Sequence, residues 1–595
     1  MLRTATQGRR AYAKAAEDRA STRGTFAAVR TVSAAAPWLR FYGKVPDRLD
    51  YPECSLYRMI AATARRTPDA LAWDFFDTTA SYRALLASID RCADALHALG
   101  LGQGDRLLIA LPTMPQGVIA FYAASKLGAV PAMIHPLSTT PEIEHYLDAS
   151  GAEIALTLDA CYGRVAAARP RRPLRHLLLA RIGDYLSPPK RLVFWWRKGR
   201  HIAPVAADPR VHGWRELLGM DHPPAREAEC STHDAAAILF SGGTTALPKG
   251  IVLSHRNFIA QGLQTAAWGG LGAADSILAI LPIFHGFGLG VCVNAVFMAG
   301  GKSILVPTFD AASVARLLRR KRPSLLVGVP TLYAALTHDR RLARTDLSFL
   351  RAAFCGADTL PRQVKERFEA MVAGGGGEVR LLEGYGLTEA VTAIMAMPVD
   401  CYREGSIGVP FPDMRACICR PGGEDEMAVG EEGEICISGP ALMRGYLDQP
   451  EATGEALRLH ADGRLWLHTG DLGRQDADGF FYFSVRLKRM IKSSGFNVYP
   501  AQVEAVLDRH PAVAEACVVG VPDPDQVERV IAFVVLKASV DATAATLIDH
   551  CREHLIKWSC PREIAFRTGL PKTLVGKIDY RALRQAYIDR EQASK

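Results

Sequence analysis

Apolar residues recur at three- and four-residue intervals through Leu85, Ile89, Cys92, Leu96 and Leu99. That period predicts a helix with one buried face, and Gly100 supplies its stop. Residues 106–111 follow as a short apolar run, the pattern of a strand covered on both sides. The order then repeats. Thr140-Pro141-Glu142 opens a helix with a cap and an early proline, 152–158 read as strand, 312–320 as helix, 325–329 as strand and 331–336 as helix. Strands alternating with helices imply an α/β fold of parallel sheets flanked by helices.

From about Arg415 the pattern changes to short β segments separated by turns, such as 434–438 and 480–483. The last hundred or so residues read as a compact mixed unit. In it 500–509 and 546–555 have helical spacing, and 516–521 and 530–537 are strand-like. The run Gly374–Gly377 is expected to be a flexible surface loop.

Composition narrows the class. At 595 residues the chain is too long for one core, so a large body plus smaller units is expected. The net charge of +9 is spread too thinly to imply nucleic-acid binding, which needs a clustered basic stripe. Thirteen cysteines lie scattered without CxxC pairs, and Cys417/Cys419 lack zinc-site spacing. Buried, reduced thiols in a cytoplasmic protein are the expectation.

Two segments bear on membranes and targeting. Residues 1–44 carry nine Lys/Arg against two acids, and no sustained apolar stretch follows Arg9-Arg10. That argues against a secretory signal and for a poorly ordered leader, with a mitochondrial presequence as the alternative. Residues 276–301 are uncharged and long enough to span a bilayer. Pro282, His285 and five glycines would be costly there, so strand, loop and helix are expected instead.

Residues 238–256, ILFSGGTTALPKGIVLSHR, carry the first chemistry. A buried strand end is followed by Ser241-Gly242-Gly243-Thr244-Thr245 and then Pro248-Lys249-Gly250. A loop of small, hydroxyl-bearing residues brings backbone N–H groups onto phosphate oxygens, and a lysine adds charge. Walker A spacing is absent, so this is a nucleotide loop of another kind.

Five further stretches lie behind it in order: Leu281-Pro282-Ile283-Phe284-His285-Gly286, Glu383-Gly384-Tyr385-Gly386-Leu387-Thr388-Glu389, His468-Thr469-Gly470-Asp471-Leu472, Arg486-Leu487-Lys488-Arg489-Met490-Ile491-Lys492 running into Gly495, and Pro571-Lys572-Thr573-Leu574-Val575-Gly576-Lys577. Together with the loop they resemble the AMP-forming acyl-CoA synthetases of the adenylate-forming superfamily, over roughly residues 50–590. The resemblance implies a large adenylation domain over 50–486 that includes a small β-barrel subdomain at about 415–486. A leader at 1–49 would precede it, and a mobile α+β domain over 487–595 would swing about Lys488.

It also implies roles. Ser241, Gly243, Thr244, Thr245 and Lys249 would hold the ATP phosphates, and Gly356 and Ala357 would line one side of adenine. Glu383, Gly384, Tyr385 and Gly386 would line the other, where an aromatic ring can stack and glycines allow close backbone approach. Thr388 would touch the α-phosphate, and Glu389 would hold Mg²⁺, which commonly takes one or two carboxylates plus substrate phosphates. Asp471 would accept the ribose hydroxyls, with Arg486 beside it. His285 would lie against the acyl carboxylate, and Lys577 would bridge that carboxylate and the α-phosphate as charge develops. Lys492 and Gly495 would enter the site for thioester formation with CoA. Gly242, Ala246 and Val485 depart from the common pattern.

The acid is expected to be a long- or medium-chain fatty acid. Phe284, Phe287, Leu289 and Val291, with the small Gly288 and Gly290, could line an acyl tunnel. Burial is worth about 0.8 kcal/mol per methylene. The alternatives are an aryl or other carboxylate–CoA ligase, or an acyl-AMP ligase that loads a carrier protein. Residues 190–200 interleave Lys190, Arg191, Arg197, Lys198 and Arg200 with Trp195 and Trp196. This suits peripheral contact with a membrane.

Overall fold

A computed structural model describes residues 36–168, 174–203, 205, 207–240, 248–493, 496–523, 527–538, 540–555, 557–573 and 577–593. The alternating pattern folds as two large sheets. In the first, strand order runs Thr78–Ser81, Leu71–Phe75, Lys302–Leu305, Ser276–Ala279, Leu325–Gly328, Ala352–Cys355, Leu381–Gly386, Ala393–Ala396 and Val409–Pro410. The six strands from Leu71–Phe75 to Leu381–Gly386 are parallel. In the second, Gly445–Tyr446, Gly250–Ser254 and Ala235–Phe240 pair antiparallel. The sheet then continues in parallel through Val130–Met133, Arg106–Ala110, Ile154–Leu158, His176–Ala180 and Val211–Gly213.

The helices sit where the apolar period places them. Leu85, Ile89, Cys92 and Leu96 are the buried face of Tyr82–Ala98, and Gly100 follows its end at φ +88°. Helix Thr140–Ser150 begins on a capping box in which Glu142 accepts from the Thr139 N–H at 2.6 Å. The uncharged segment at 276–301 is strand, turn, and a helix wound in the π form over Phe287–Ala295 that continues as Val296–Ala299. No described helix is long and apolar enough to cross a membrane.

Later in the chain, Arg415–Cys419, Glu432–Ser438, Leu465–Gln475 and Leu457–Leu459 pair in that order, with Phe481–Arg486 added to Leu465–Gln475. This is an open antiparallel sheet among the described strands, where a barrel is expected from the resemblance. A short turn, Leu487–Arg489, leads to the last unit. That unit is a five-stranded sheet with its own buried core and the helices Pro500–Arg509, Ala544–His554 and Tyr580–Ala593.

Two expectations are corrected. Residues 38–49 are packed rather than part of a loose leader, because their aromatic rings have partners. Trp38 and Tyr42 are buried, Tyr42 Oη donates to the Pro410 carbonyl at 2.6 Å, and Phe41 packs on Phe480. The glycine run at 374–377 is no free loop. Leu347 N–H donates to the Gly375 carbonyl at 2.8 Å, and a Cβ on Gly375 would lie 2.5 Å from the Thr345 carbonyl oxygen. Only glycine permits so close an approach.

Candidate active site

The site gathers at the carboxyl ends of parallel strands, where open α/β sheets bind ligands. Cys355 pairs with Glu383 in register, so the segment after Cys355 runs beside Gly384. A Cβ on Gly356 would meet the Gly384 carbonyl oxygen at 3.1 Å and the Phe287 ring at 3.4 Å. Ala357 adopts φ +73°, a left-handed conformation uncommon for any residue but glycine. The Glu383 carboxylate accepts from Tyr402 Oη at 2.9 Å and lies 4.0 Å from Lys365 Nζ. Its engagement there leaves the backbone of 383–386 as the surface for a planar ligand.

Tyr385 Oη donates to Asp471 Oδ2 at 2.7 Å. Asp471 pairs in register with Arg486, whose Nε stands 3.1 Å from Oδ1. Even so, Asp471 Oδ1 is buried without a hydrogen-bond partner among the described residues. Burial pushes the Asp471 carboxyl pKa up, against the pull of the Arg486 charge. A buried acceptor left open costs stability unless a donor fills it. The turn carrying it is fixed from behind: Gly470 N–H donates to Glu434 Oε1 at 2.8 Å, and Glu434 Oε2 lies 2.9 Å from His468 Nδ1. The sequence reading missed the Glu434–His468 pair, which joins strands far apart in the chain.

His285 ends the turn before the π-wound helix. The Phe287 N–H donates to its Nδ1 at 3.2 Å, which puts the proton of the neutral ring on Nε2. Burial, then the charge of Lys577, holds its pKa down at about 4. The neighbouring Gly286 is pressed onto Val391: a Cβ there would lie 1.7 Å from the Val391 carbonyl oxygen. Val391 itself has φ +65° and ψ −58°, with Thr392 N–H donating to the Ala390 carbonyl at 2.7 Å. This is a γ-turn of the strained kind, held by a β-branched residue directly after the turn Thr388–Ala390.

Glu389 in that turn accepts from Tyr446 Oη at 3.0 Å. Lys249 Nζ lies 4.7 Å from the centroid of the same tyrosine ring. Tyr446 reaches both because its strand pairs with the one that follows Lys249, Tyr446 opposite Ile251. No motif in the sequence marked Tyr446.

Lys577 reaches this cluster from the C-terminal unit. Its backbone N–H donates to Thr573 Oγ1 at 3.2 Å, and its carbonyl accepts from the Thr573 N–H at 2.7 Å. Burial lowers its pKa; the charges of Asp358 and Asp471 oppose that shift and Arg486 adds to it. A desolvated cation therefore shares one neighbourhood with His285, Asp471 and Arg486. Among the described residues no carboxylate forms an ion pair with it, so an anion between it and His285 would be stabilised.

Residues 60–447 match the AMP-binding enzyme family, and residues 502–577 match the AMP-binding enzyme C-terminal domain. The chain belongs to the AMP-binding enzyme family. This AMP-binding enzyme is 34% identical over 557 residues to a long-chain-fatty-acid–CoA ligase of Bacillus subtilis, covering 92% of this chain and 97% of that protein. It is 31% identical over 556 residues to 4-coumarate–CoA ligase 2 of Oryza sativa subsp. japonica, covering 91% and 94%. The crystal structure of ATP-bound MatB from Rhodopseudomonas palustris matches at 27% identity and a TM-score of 0.78, covering 89% of this chain and 99% of that one. The protein is an adenylate-forming acyl-CoA ligase in its family and fold.

In this AMP-binding enzyme the stretch expected to line an acyl tunnel is packed more tightly than the sequence suggests. Phe284 stacks edge-on to His135, ring centroids 4.5 Å apart. A Cβ on Gly288 would lie 2.3 Å from the Pro282 carbonyl oxygen, and one on Gly290 would lie 2.7 Å from Gln261 Oε1. The space these glycines leave is therefore filled by protein on that side. Their role is close packing of the helix against its neighbours, while Phe287 remains partly exposed beside Gly356.

Ser241, Gly242, Gly243, Thr244, Thr245, Ala246 and Gly495 lie outside the described residues, as do the side chains of Lys488 and Lys492. The backbone of Lys488 lies in the turn Leu487–Arg489, and Lys492 pairs with Asn497 in the first strands of the C-terminal sheet.

Proposed function

We propose that this AMP-binding enzyme joins a fatty acid of medium or long chain to CoA in two steps. In the first, a carboxylate oxygen attacks the α-phosphorus of ATP. The bond to the β-phosphate oxygen breaks and pyrophosphate leaves. In the second, the CoA sulfur attacks the acyl carbon, the acyl–oxygen bond to AMP breaks, and the thiol proton passes to solvent. The observation that carries the adenylation reading is the desolvated Lys577 beside His285, Asp471 and Arg486.

Asp471 Oδ1, paired with the Arg486 charge and without a hydrogen-bond donor among the described residues, suits a ribose hydroxyl, and the closely packed backbone at Gly356 and Gly384 would carry the base beside Tyr385. Thr388 would face the phosphates, and so would Lys249, which lies over the Tyr446 ring. Ser241, Gly243, Thr244 and Thr245 complete that wall in this reading. Glu389 fits a Mg²⁺ ion: it offers a partly exposed hard oxygen donor, oriented by Tyr446 at the turn beside Thr388. Bound with ATP, the ion would neutralise charge on the phosphate oxygens. Lys577 positions the two reacting anions and stabilises their combined charge. The neutral His285, with its Nε2 proton, orients the acyl carboxylate by hydrogen bonding. For the thioester step, the turn at Lys488 serves as the hinge that brings Lys492 and Gly495 to the site in place of Lys577.

The choice of a fatty acid is supported by the near full-length likeness to the Bacillus subtilis relative. An aromatic acid is the second reading. It is favoured by the closed packing at Gly288 and Gly290 and by the likeness to the rice protein. A pyrophosphate-release screen over fatty acids of graded length and over aryl acids, with acyl-CoA measured directly, separates them. Turnover of fatty acids with acyl-CoA formed is the expected result. Release only with aryl acids would replace the substrate, and adenylation without any acyl-CoA would point to a carrier-protein acceptor.

A further inference from the structure

The helix Pro188–Arg197 is turned inside out. None of its residues is buried. Leu192, Val193, Trp195 and Trp196 are 66%, 51%, 57% and 59% exposed. At about 100° per residue these four side chains share an outward arc of roughly 160°. Arg191 and Arg197 flank that arc on either side, and Phe194 and Lys190 lie opposite it. A surface helix of a globular protein ordinarily turns such a stripe toward the core.

The helix is pinned through its polar face. Lys190 Nζ donates to the Phe76 carbonyl at 2.6 Å and forms an ion pair with Asp77. Phe76 and Asp77 form the two-residue turn between strands Leu71–Phe75 and Thr78–Ser81, at φ +50° and +69°. That turn holds the Phe76 side chain 48% exposed beside the helix. The helix thus presents four large apolar side chains together on its outward face, and an exposed patch of this kind marks an interaction site.

Charge selects the partner. Between Asp184 and Asp208 the sequence has no acidic residue. Lys190, Arg320 and Lys321 already neutralise Asp77. Arg191, Arg197, Lys198 and Arg200 have no acidic partner among the described residues. Arg200 instead stacks 5.4 Å from the Trp196 ring. Tryptophans flanked by cations suit the boundary between headgroups and acyl chains, where the ring is half-wet and the cations meet phosphates. A second copy of this chain docked on the same patch would set these cations against one another.

We propose that helix Pro188–Arg197 is a docking surface for an anionic lipid bilayer. Leu192, Trp195 and Trp196 enter the headgroup–acyl boundary, and Arg191, Arg197 and Lys198 contact lipid phosphates. The surface does not depend on which acid the enzyme takes.

The test uses full-length protein and flotation with vesicles of phosphatidylcholine alone or mixed with phosphatidylglycerol. Binding is expected to the mixed vesicles, to weaken with salt, and to drop about tenfold or more in a Trp195→Ala/Trp196→Ala double variant. Arg197→Glu should weaken it by about fivefold or more. Ligase activity on a soluble substrate and the melting temperature should stay at wild-type values in both variants. Three outcomes overturn the proposal: no binding to mixed vesicles, equal binding by wild type and the double variant, or self-association that needs the two tryptophans while vesicles are ignored.

Discussion

Tyr446 Oη donates to Glu389 Oε1 at 3.0 Å, and the same ring lies 4.7 Å from the Lys249 ammonium. One side chain thus ties the acid proposed for Mg²⁺ to the lysine at the end of the phosphate loop. The link depends on strand pairing: Tyr446 sits opposite Ile251, two residues after Lys249.

Tyr446→Phe keeps the ring under Lys249 and removes only the hydroxyl. A hydrogen bond to a charged group is worth roughly 1.5–3 kcal/mol, so adenylation at limiting Mg²⁺ should fall by about tenfold or more. Excess Mg²⁺ should restore much of it. If pyrophosphate exchange shows the same Mg²⁺ dependence in both proteins, Tyr446 does not act through Glu389.

Gly286→Ala places a methyl 1.7 Å from the Val391 carbonyl oxygen. Backbone on both sides cannot yield easily, so the turn carrying His285 must shift. Overpacking costs about 1–3 kcal/mol, and adenylation should drop far more than folding stability does. Gly290→Ala meets the end of the Gln261 side chain instead and should be milder. Equal activities in the two variants, measured alongside their melting curves, would remove Gly286 from this role.

Lys577→Ala should abolish acyl-adenylate formation and leave thioester formation from supplied acyl-adenylate within about tenfold of wild type, because electrostatic stabilisation by this lysine serves the first step alone. Rapid-quench assays of each half-reaction read this directly. Equal loss in both half-reactions would end the division of labour between Lys577 and Lys492.

His255 is buried and accepts the Leu56 N–H on Nδ1 at 3.2 Å, and burial holds its pKa at about 4 against an ordinary 6.5. The unfolded chain therefore takes up the proton first as pH falls. The stability His255 contributes is complete above pH 6.5 and is lost as pH drops toward 4. His285 behaves alike, also near 4. Replacing His255 by Gln should flatten the rise of unfolding free energy with pH across this window by about 1.4 kcal/mol per pH unit. Denaturant titrations at a series of pH values check this, and parallel slopes in the two proteins would refute it.

Much of the fold was legible because its elements are locally determined. The apolar period gave the body and the end of the helix at 82–98 and both ends of the helix at 500–509, since a buried stripe repeats with the helix itself. Residues 38–49 were misread because they resemble the basic leader before them in sequence. Their aromatic rings find partners at Trp268 and around residues 410 and 480. The glycine run at 374–377 has no side chains to declare a contact, yet its backbone packs on Thr345 and Leu347.

The sequence by itself determined the alternation of strand and helix, the order of the nucleotide motifs and the family they belong to. Each of these resides in spacing along the chain. Tertiary structure alone decided that Tyr385 meets Asp471, that Glu389 meets Tyr446, that Lys577 lies near His285, and that Trp195 and Trp196 face outward. These depend on sheet register and on which face of a helix is covered. Both are fixed by packing between segments tens to hundreds of residues apart, which no local pattern records.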